Sequence, residues 1–201
     1  MENKNMIIYG EKLSRAERSL WAADECGVDY EHSTDPVHGD KSLALLAVNP
    51  DGAIPTLDDD GFILTQSWAI NLYLARKYGG DLASQNDEEE ARILQWSFWA
   101  GTDVDGMIIN TILATGMLPH EPANPELIKA NFEKLQRPLM SLERALEGRN
   151  YLAADRFTIG DLNAVSIVSW LPLIGFDMRN FPNIDGWIKR CAERPHFPKR
   201  G

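Results

Sequence analysis

The sequence predicts two joined parts: an α/β domain over about residues 1–80, with element order βαβαββα, and an all-helical domain over about 87–201. Three observations carry that reading. Up to Tyr78, short apolar runs of strand length alternate with stretches whose apolar residues recur every three or four positions. From Asn86 onward only the helical spacing remains. Between them, Asp81 to Gln85 has the patternless composition of a linker.

Met6 to Tyr9 is an apolar run and reads as the first strand. Ser14 to Cys26 follows as a helix, with Ala16, Leu20 and Ala23 on one stripe and Gly27 at its stop. Val28, Tyr30 and His32 resume a period of two, which predicts a second strand parallel to the first through a βα crossover. Breakers at Thr34 to Pro36 and at Gly39 interrupt the pattern before Leu43, Leu45 and Leu46 mark a short helix. Ile54 to Leu57, the turn Asp58 to Gly61, and Phe62 to Leu64 form a hairpin signal. Gln66 to Tyr78 then places Ile70, Leu74 and Tyr78 on one helical stripe, with Gly79 and Gly80 where the helix should end.

The second part opens on Asn86, with Glu89 three residues on and four acidic residues at 87–90 where the helix dipole favours them. Ile93, Trp96, Ala100 and Met107 continue a long helix toward Gly116, followed by a proline-rich loop from Pro119 to Pro125. A second long helix is capped by Asn124 and carries Ile128, Phe132, Leu135, Leu139, Leu142 and Leu146 in 4-3-4-3-4 spacing, with a kink expected at Pro138. Thr158 and Asp161 have the spacing of a capping box, and Phe157 can staple to Leu162. Ala164 to Leu171 leaves no polar face, which predicts the buried centre of a bundle. Asn183 is read as the cap of a last helix bearing Ile184, Trp187, Ile188 and Cys191.

Composition narrows the function. Of 201 residues 44% are apolar and 25% charged, the mixture of an ordinary globular protein. Twenty basic against thirty acidic residues give a net charge of −10, which repels phosphate backbones and anionic lipid alike, so neither nucleic acid nor membrane is an expected partner. No apolar run approaches the ~20 residues of a membrane span. With two cysteines and no charged segment leading into an apolar one at the start, a cytoplasmic location is expected. There is no C-x-x-C, and the four histidines show no metal-binding spacing, so no metal is expected.

Three places could carry chemistry. A proline opening a strand, Pro55, sits on an edge or forms a cis bond, and a cis bond would turn the main chain of Ile54 outward to pair with an extended peptide. Gln66 and Ser67 stand at the amino end of a helix, where unpaired N–H groups attract a carboxylate, although capping alone would also explain Ser67. Ser14 shares with Glu17 the S-x-x-E spacing of a capping box, which needs no chemistry. Arg15 and Arg18 lie close by in the chain and could serve a small anion.

Together, Asn49-Pro50-Asp51-Gly52-Ala53-Ile54-Pro55-Thr56-Leu57 and Gln66-Ser67-Trp68-Ala69-Ile70 followed by Tyr73-Leu74 resemble the NPxGxxPxL segment and the [E/Q]-S-x-A-I-x-x-Y-L helix of the glutathione transferase family. Phe157 to Asp161 resembles that family's helix-capping box, and Phe181 to Pro195 its tail, so the likeness covers nearly the whole chain. It implies a thioredoxin-like domain followed by an all-α helical bundle, a homodimer, and glutathione as co-substrate without a metal. Carried over by residue, Ile54 and Pro55 would hold the cysteinyl backbone of glutathione, Gln66 and Ser67 its γ-glutamyl end, and Ser14, with Arg15 near it, would activate the thiol. Tyr9 is the alternative hydroxyl. The expected activity is attack of the activated thiol on a small hydrophobic electrophile. A non-catalytic binding module of the same fold, or a glutathione-dependent isomerase, peroxidase or dehalogenase, stand as alternatives.

Overall fold

The computed structural model describes residues 6–117 and 122–199. Part of the loop expected at Pro119 to Pro125, with His120, lies outside them. The chain divides into two compact units: one runs to Ala83 and takes in the chain again from Pro195, and the other is Ser84–Arg194. The sequence reading had assigned the whole stretch 87–201 to the helical part. Phe197 shows why the tail groups with the first unit, since its ring meets the buried Trp21 edge-on with centroids 5.1 Å apart.

The first unit is built on four strands in the order β2-β1-β3-β4. Strand β1 (Met6–Tyr9) pairs in parallel with β2 (Glu31–Ser33) and antiparallel with β3 (Thr56–Asp59), which pairs with β4 (Phe62–Thr65). The parallel pair is joined through helix α1 (Ala16–Glu25), as a crossover requires. Helices α2 (Leu43–Val48) and α3 (Ser67–Tyr78) complete the thioredoxin-like order. At the centre Ile8 lies opposite Leu57, both fully buried, and each such side chain contributes about 1.5–3 kcal/mol.

Two details differ from the sequence reading. Strand β2 starts at Glu31 because the residues before it are used in leaving the helix: Val28 N–H returns to the Ala23 carbonyl and the Tyr30 hydroxyl donates to Asp24 at 3.0 Å. The hairpin turn is tighter than expected, with Asp60 and Gly61 alone at positive φ, so Asp58 and Asp59 belong to strand β3.

The second unit comprises α4 (Asp87–Trp99), α5 (Asp105–Ala114), α6 (Pro125–Ala145), α7 (Ile159–Val168) and α8 (Pro182–Ala192). A π-helical segment, Ala100–Val104, joins α4 to α5 where one uninterrupted helix was expected. Asn86 and Asn124 cap α4 and α6, and α6 runs on through Pro138. Every residue of α7 is buried. Its capping box is formed, and Asp161 also accepts from Leu152 N–H at 2.9 Å and Trp187 Nε1 at 3.1 Å. Burial pushes the Asp161 carboxyl up despite these donors.

Asn183 does not cap α8. The helix starts at Pro182, and its first N–H groups are taken by a carboxylate from α6: Glu143 accepts from Asn183 N–H at 2.9 Å and Ile184 N–H at 3.0 Å. Among the described residues no helix is long and apolar enough to cross a membrane, and no group of three or more His, Cys, Asp or Glu is placed to hold a metal ion.

Candidate active site

The turn after β1 is shaped by Gly10, whose φ is +134°. A Cβ there would stand 2.7 Å from Cβ of Ala16 and 3.1 Å from Cβ of Ile54. Only glycine lets the start of α1 and the approach to β3 close to this distance, so Gly10 brings Ser14's turn and Ile54 to one place. The sequence reading missed it, because a single glycine after a strand reads as an ordinary stop. Gly10 is held by its N–H to the Ser33 carbonyl and by His32 Nε2, which donates to its carbonyl at 2.7 Å.

Ser14 precedes α1 rather than capping it as the S-x-x-E spacing proposed. Its Oγ accepts from Ala16 N–H at 3.0 Å and donates to the Glu11 carbonyl at 2.7 Å, while Glu17 N–H goes to the Ser14 carbonyl. Glu11 is itself tied down, its N–H to the Asp35 carbonyl and its Oε1 to Val37 N–H at 2.6 Å. Arg15 is exposed at the N-cap position and its side chain makes no cap bond. Arg18 is buried, with its guanidinium carbon 4.0 Å from the centroid of the Trp68 ring, which ties α1 to the head of α3. Tyr9 is a buried strand residue, and burial foremost, then the charges of Asp58, Glu31 and Asp35, pushes its phenol up.

The Asn49–Thr56 segment is braced from within. Asn49 Nδ2 donates to Thr56 Oγ1 at 2.9 Å and to the Ala53 carbonyl at 3.2 Å, and Thr56 Oγ1 donates to the same carbonyl at 2.7 Å. The Ile54–Pro55 bond is cis. Neither the N–H nor the carbonyl of Ile54 has a hydrogen-bond partner among the described residues. Lys41, which the sequence reading passed over among breakers, lays its stem across Gly52 and donates from Nζ to the carbonyls of Pro36 and Val37. The signal was there only in retrospect: Gly52 needs φ +60°, and its lack of a side chain makes room for the lysine.

At the head of α3, Gln66 is exposed and held at φ +70°, unusual for a residue with a side chain. Ser67 is the first helical residue, and no side chain caps α3. The Ser67 hydroxyl has no hydrogen-bond partner among the described residues, although the residue is only 3% exposed. Capping therefore does not account for it. A nearly buried hydroxyl beside unpaired helix N–H groups is suited to receive a carboxylate.

Trp96, Trp99, Asp103, Met107 and Trp170, the side chains the sequence offers for a second substrate or else for helix core, all lie in the helical unit: Trp96 and Trp99 meet edge-on at 5.4 Å in α4, Asp103 is exposed in the π segment, Met107 is in α5, and Trp170 is half-buried after α7. Of the two thiols Cys191 is fully buried, and burial, then the charge of Glu25, pushes Cys26 up to about 12. Burial of this kind works against thiolate chemistry at Cys26.

Comparison with known proteins gives concordant matches. Residues 5–76 match the family described as Glutathione S-transferase, N-terminal domain, and residues 107–195 match Glutathione S-transferase, C-terminal domain. The chain is 31% identical to Glutathione S-transferase F13 of Arabidopsis thaliana over 96% of its own length and 94% of the relative's. It is 33% identical to Glutathione S-transferase D6 of Drosophila melanogaster over 74% of its length and 68% of the relative's. Among solved structures, the glutathione-bound theta class glutathione S-transferase of Xanthomonas axonopodis pv. citri is similar, with a TM-score of 0.85, 27% identity, and coverage of 96% of this chain and 95% of that one. Glutathione S-transferase-I bound with lactoylglutathione gives a TM-score of 0.84 at 29% identity, covering 96% of each chain.

Proposed function

Because the chain belongs to the glutathione S-transferase family, we propose that it binds glutathione along Ile54 and the head of α3 and activates the thiol for attack on a small hydrophobic electrophile. The observation that carries this reading is the pair of open groups in the first unit, the Ile54 main chain and the Ser67 hydroxyl. The cysteinyl backbone pairs with Ile54 as a short strand would. The γ-glutamyl carboxylate is received by Ser67 and the first N–H groups of α3, with the Gln66 amide beside it. Lys41, across Gly52, supplies a cation on the same segment.

Ser14 is the proposed thiol-activating hydroxyl. Its proton points at the Glu11 carbonyl, so activation exchanges that bond for one to sulfur. A free thiol titrates near 8.5, and a hydroxyl donor at a helix amino end lowers this by ~1–2 units. The thiol proton passes to solvent. With an aromatic halide the thiolate forms the C–S bond, and the C–halogen pair leaves with the halide. The fold's self-association as a homodimer belongs to the same proposal: Phe62 on the edge strand β4 and Phe98 on α4 are 49% and 63% exposed, large rings that a second copy would cover.

Titration of wild type with glutathione, followed by thioether formation from 1-chloro-2,4-dinitrobenzene, tests the reading; binding without turnover would instead indicate a binding module. Ser14→Ala should move the midpoint of thiolate formation in the bound complex up by ~1–2 pH units and slow conjugation at pH 7 by ~10- to 100-fold. An unmoved midpoint would leave Ser14 a purely structural turn residue.

A further inference from the structure

The strand that presents Ile54 and the helix that presents Ser67 are locked together at their opposite ends by one carboxylate. Asp59, the last residue of β3, is buried in a chain whose β3 starts directly after Pro55. It accepts from Tyr73 Oη at 2.6 Å, from Lys77 Nζ at 2.6 Å and from Tyr78 Oη at 2.8 Å, three residues of α3. Lys77 Nζ also donates to Tyr73 Oη at 2.6 Å, and its ammonium lies about 5 Å from both phenol rings, at 5.1 Å and 5.0 Å. Burial pushes the Asp59 carboxyl up, but the bonds from Lys77, Tyr73 and Tyr78 outweigh it and hold the group below the usual carboxylate range.

This knot is far from any atom proposed to touch glutathione, and its influence is geometric. Between Ser67 and the anchoring residues Tyr73 and Lys77, helix α3 rises by about 9–15 Å at 1.5 Å per residue. A swing of ~5° at the anchored end therefore moves the Ser67 hydroxyl by ~1 Å, a displacement that costs on the order of 100-fold where groups must meet a ligand together. The Phe62–Thr65 strand leads into α3 through the Gln66 turn and meets it again where the Phe62 and Tyr73 rings lie 5.0 Å apart, at the same end that the knot anchors.

We propose that Asp59 is a positioning residue for glutathione, fixing the span between the Ile54 main chain and the Gln66–Ser67 head of α3 so that both ends of the tripeptide are met at once. This rests on the glutathione reading above. The test compares glutathione with cysteinylglycine, which keeps the part facing Ile54 and lacks the γ-glutamyl group. In wild type, glutathione should bind more tightly than cysteinylglycine. Asp59→Asn should raise Kd and KM for glutathione ~10-fold, leave Kd for cysteinylglycine within about twofold, and leave kcat at saturating glutathione within about twofold. Tyr73→Phe and Lys77→Met, which each remove one arm of the knot, should move the same ratio in the same direction by less, and they carry the test where Asp59→Asn does not fold. Equal weakening of both ligands, or an unchanged ratio in folded variants, overturns the proposal, since loss of stability alone does not discriminate between them. Wild type that binds neither compound overturns the glutathione reading itself, a separate result visible before any variant is made.

Discussion

The two units differ in how far their polar groups satisfy one another. In the helical unit most are spent on one another, Trp99 Nε1 being a buried exception: Asp161 gathers Thr158, Leu152 and Trp187, Asn163 donates to Ser97 at 2.8 Å, Asn131 to Thr111 at 3.1 Å, and Glu143 holds the start of α8. In the first unit the knot at Asp59 does the same, yet the Ser67 hydroxyl and the Ile54 main chain have no partner among the described residues. Closed networks define a fold, whereas open groups beside them mark where a ligand completes the count.

The largest expected effect is on the closed side. Asp161→Ala leaves several buried donors without an acceptor and should cost ~3–5 kcal/mol in urea unfolding, a large part of the ~5–15 kcal/mol that holds a protein of ordinary stability. A loss below ~1 kcal/mol would mean that the network is not what holds α7. Next comes Ser67→Ala on the open side. Stability should stay within ~0.5 kcal/mol, while the dissociation constant for glutathione rises ~10- to 100-fold, as expected for a lost hydrogen bond to a charged group. Should unfolding change and binding stay fixed, the contrast between the units is wrong at its clearest point.

The smallest effect concerns pH. Glu89 accepts from Arg156 at 2.7 Å and 3.0 Å, and these bonds, then the Gln85 N–H, hold its carboxyl down at about 2 instead of 4.5. A carboxyl lowered on folding stabilises the folded state above its unfolded pKa, and that contribution is lost as pH falls from 4.5 to about 2. Arg156→Met should therefore lower Tm relative to wild type by a constant amount above pH 5, worth on the order of 1 kcal/mol for this half-buried pair, and the gap should shrink below pH 4.5 and close near about pH 2. A gap independent of pH would assign the effect to packing of the arginine stem.

What the sequence made legible was local. The 4-3-4-3-4 stripe of α6, the Asn86 and Asn124 caps and the Thr158–Asp161 box each need only neighbours within a few residues, and all three stand in the fold. Glu143 capping α8 from forty residues away left no trace in spacing, so Asn183 was read as the cap in its place. The π segment at Ala100–Val104 hid for a related reason, because one extra residue in a turn leaves apolar periodicity almost intact. At the proposed site, Pro55, Gln66 and Ser67 stand out in the sequence through motif and turn chemistry. Gly10 and Lys41 do not, since their parts in it depend on contacts across the sheet and over a loop that no short-range pattern records.

The backbone of Gln66 sets a limit on how this chain can be hardened. A side-chain-bearing residue in the left-handed region costs on the order of 1 kcal/mol, which Gln66→Gly would relieve. Selection for heat resistance alone would therefore favour the glycine and discard the amide proposed to stand beside the tripeptide's acidic end. Sturdiness and grip pull in opposite directions at this one turn.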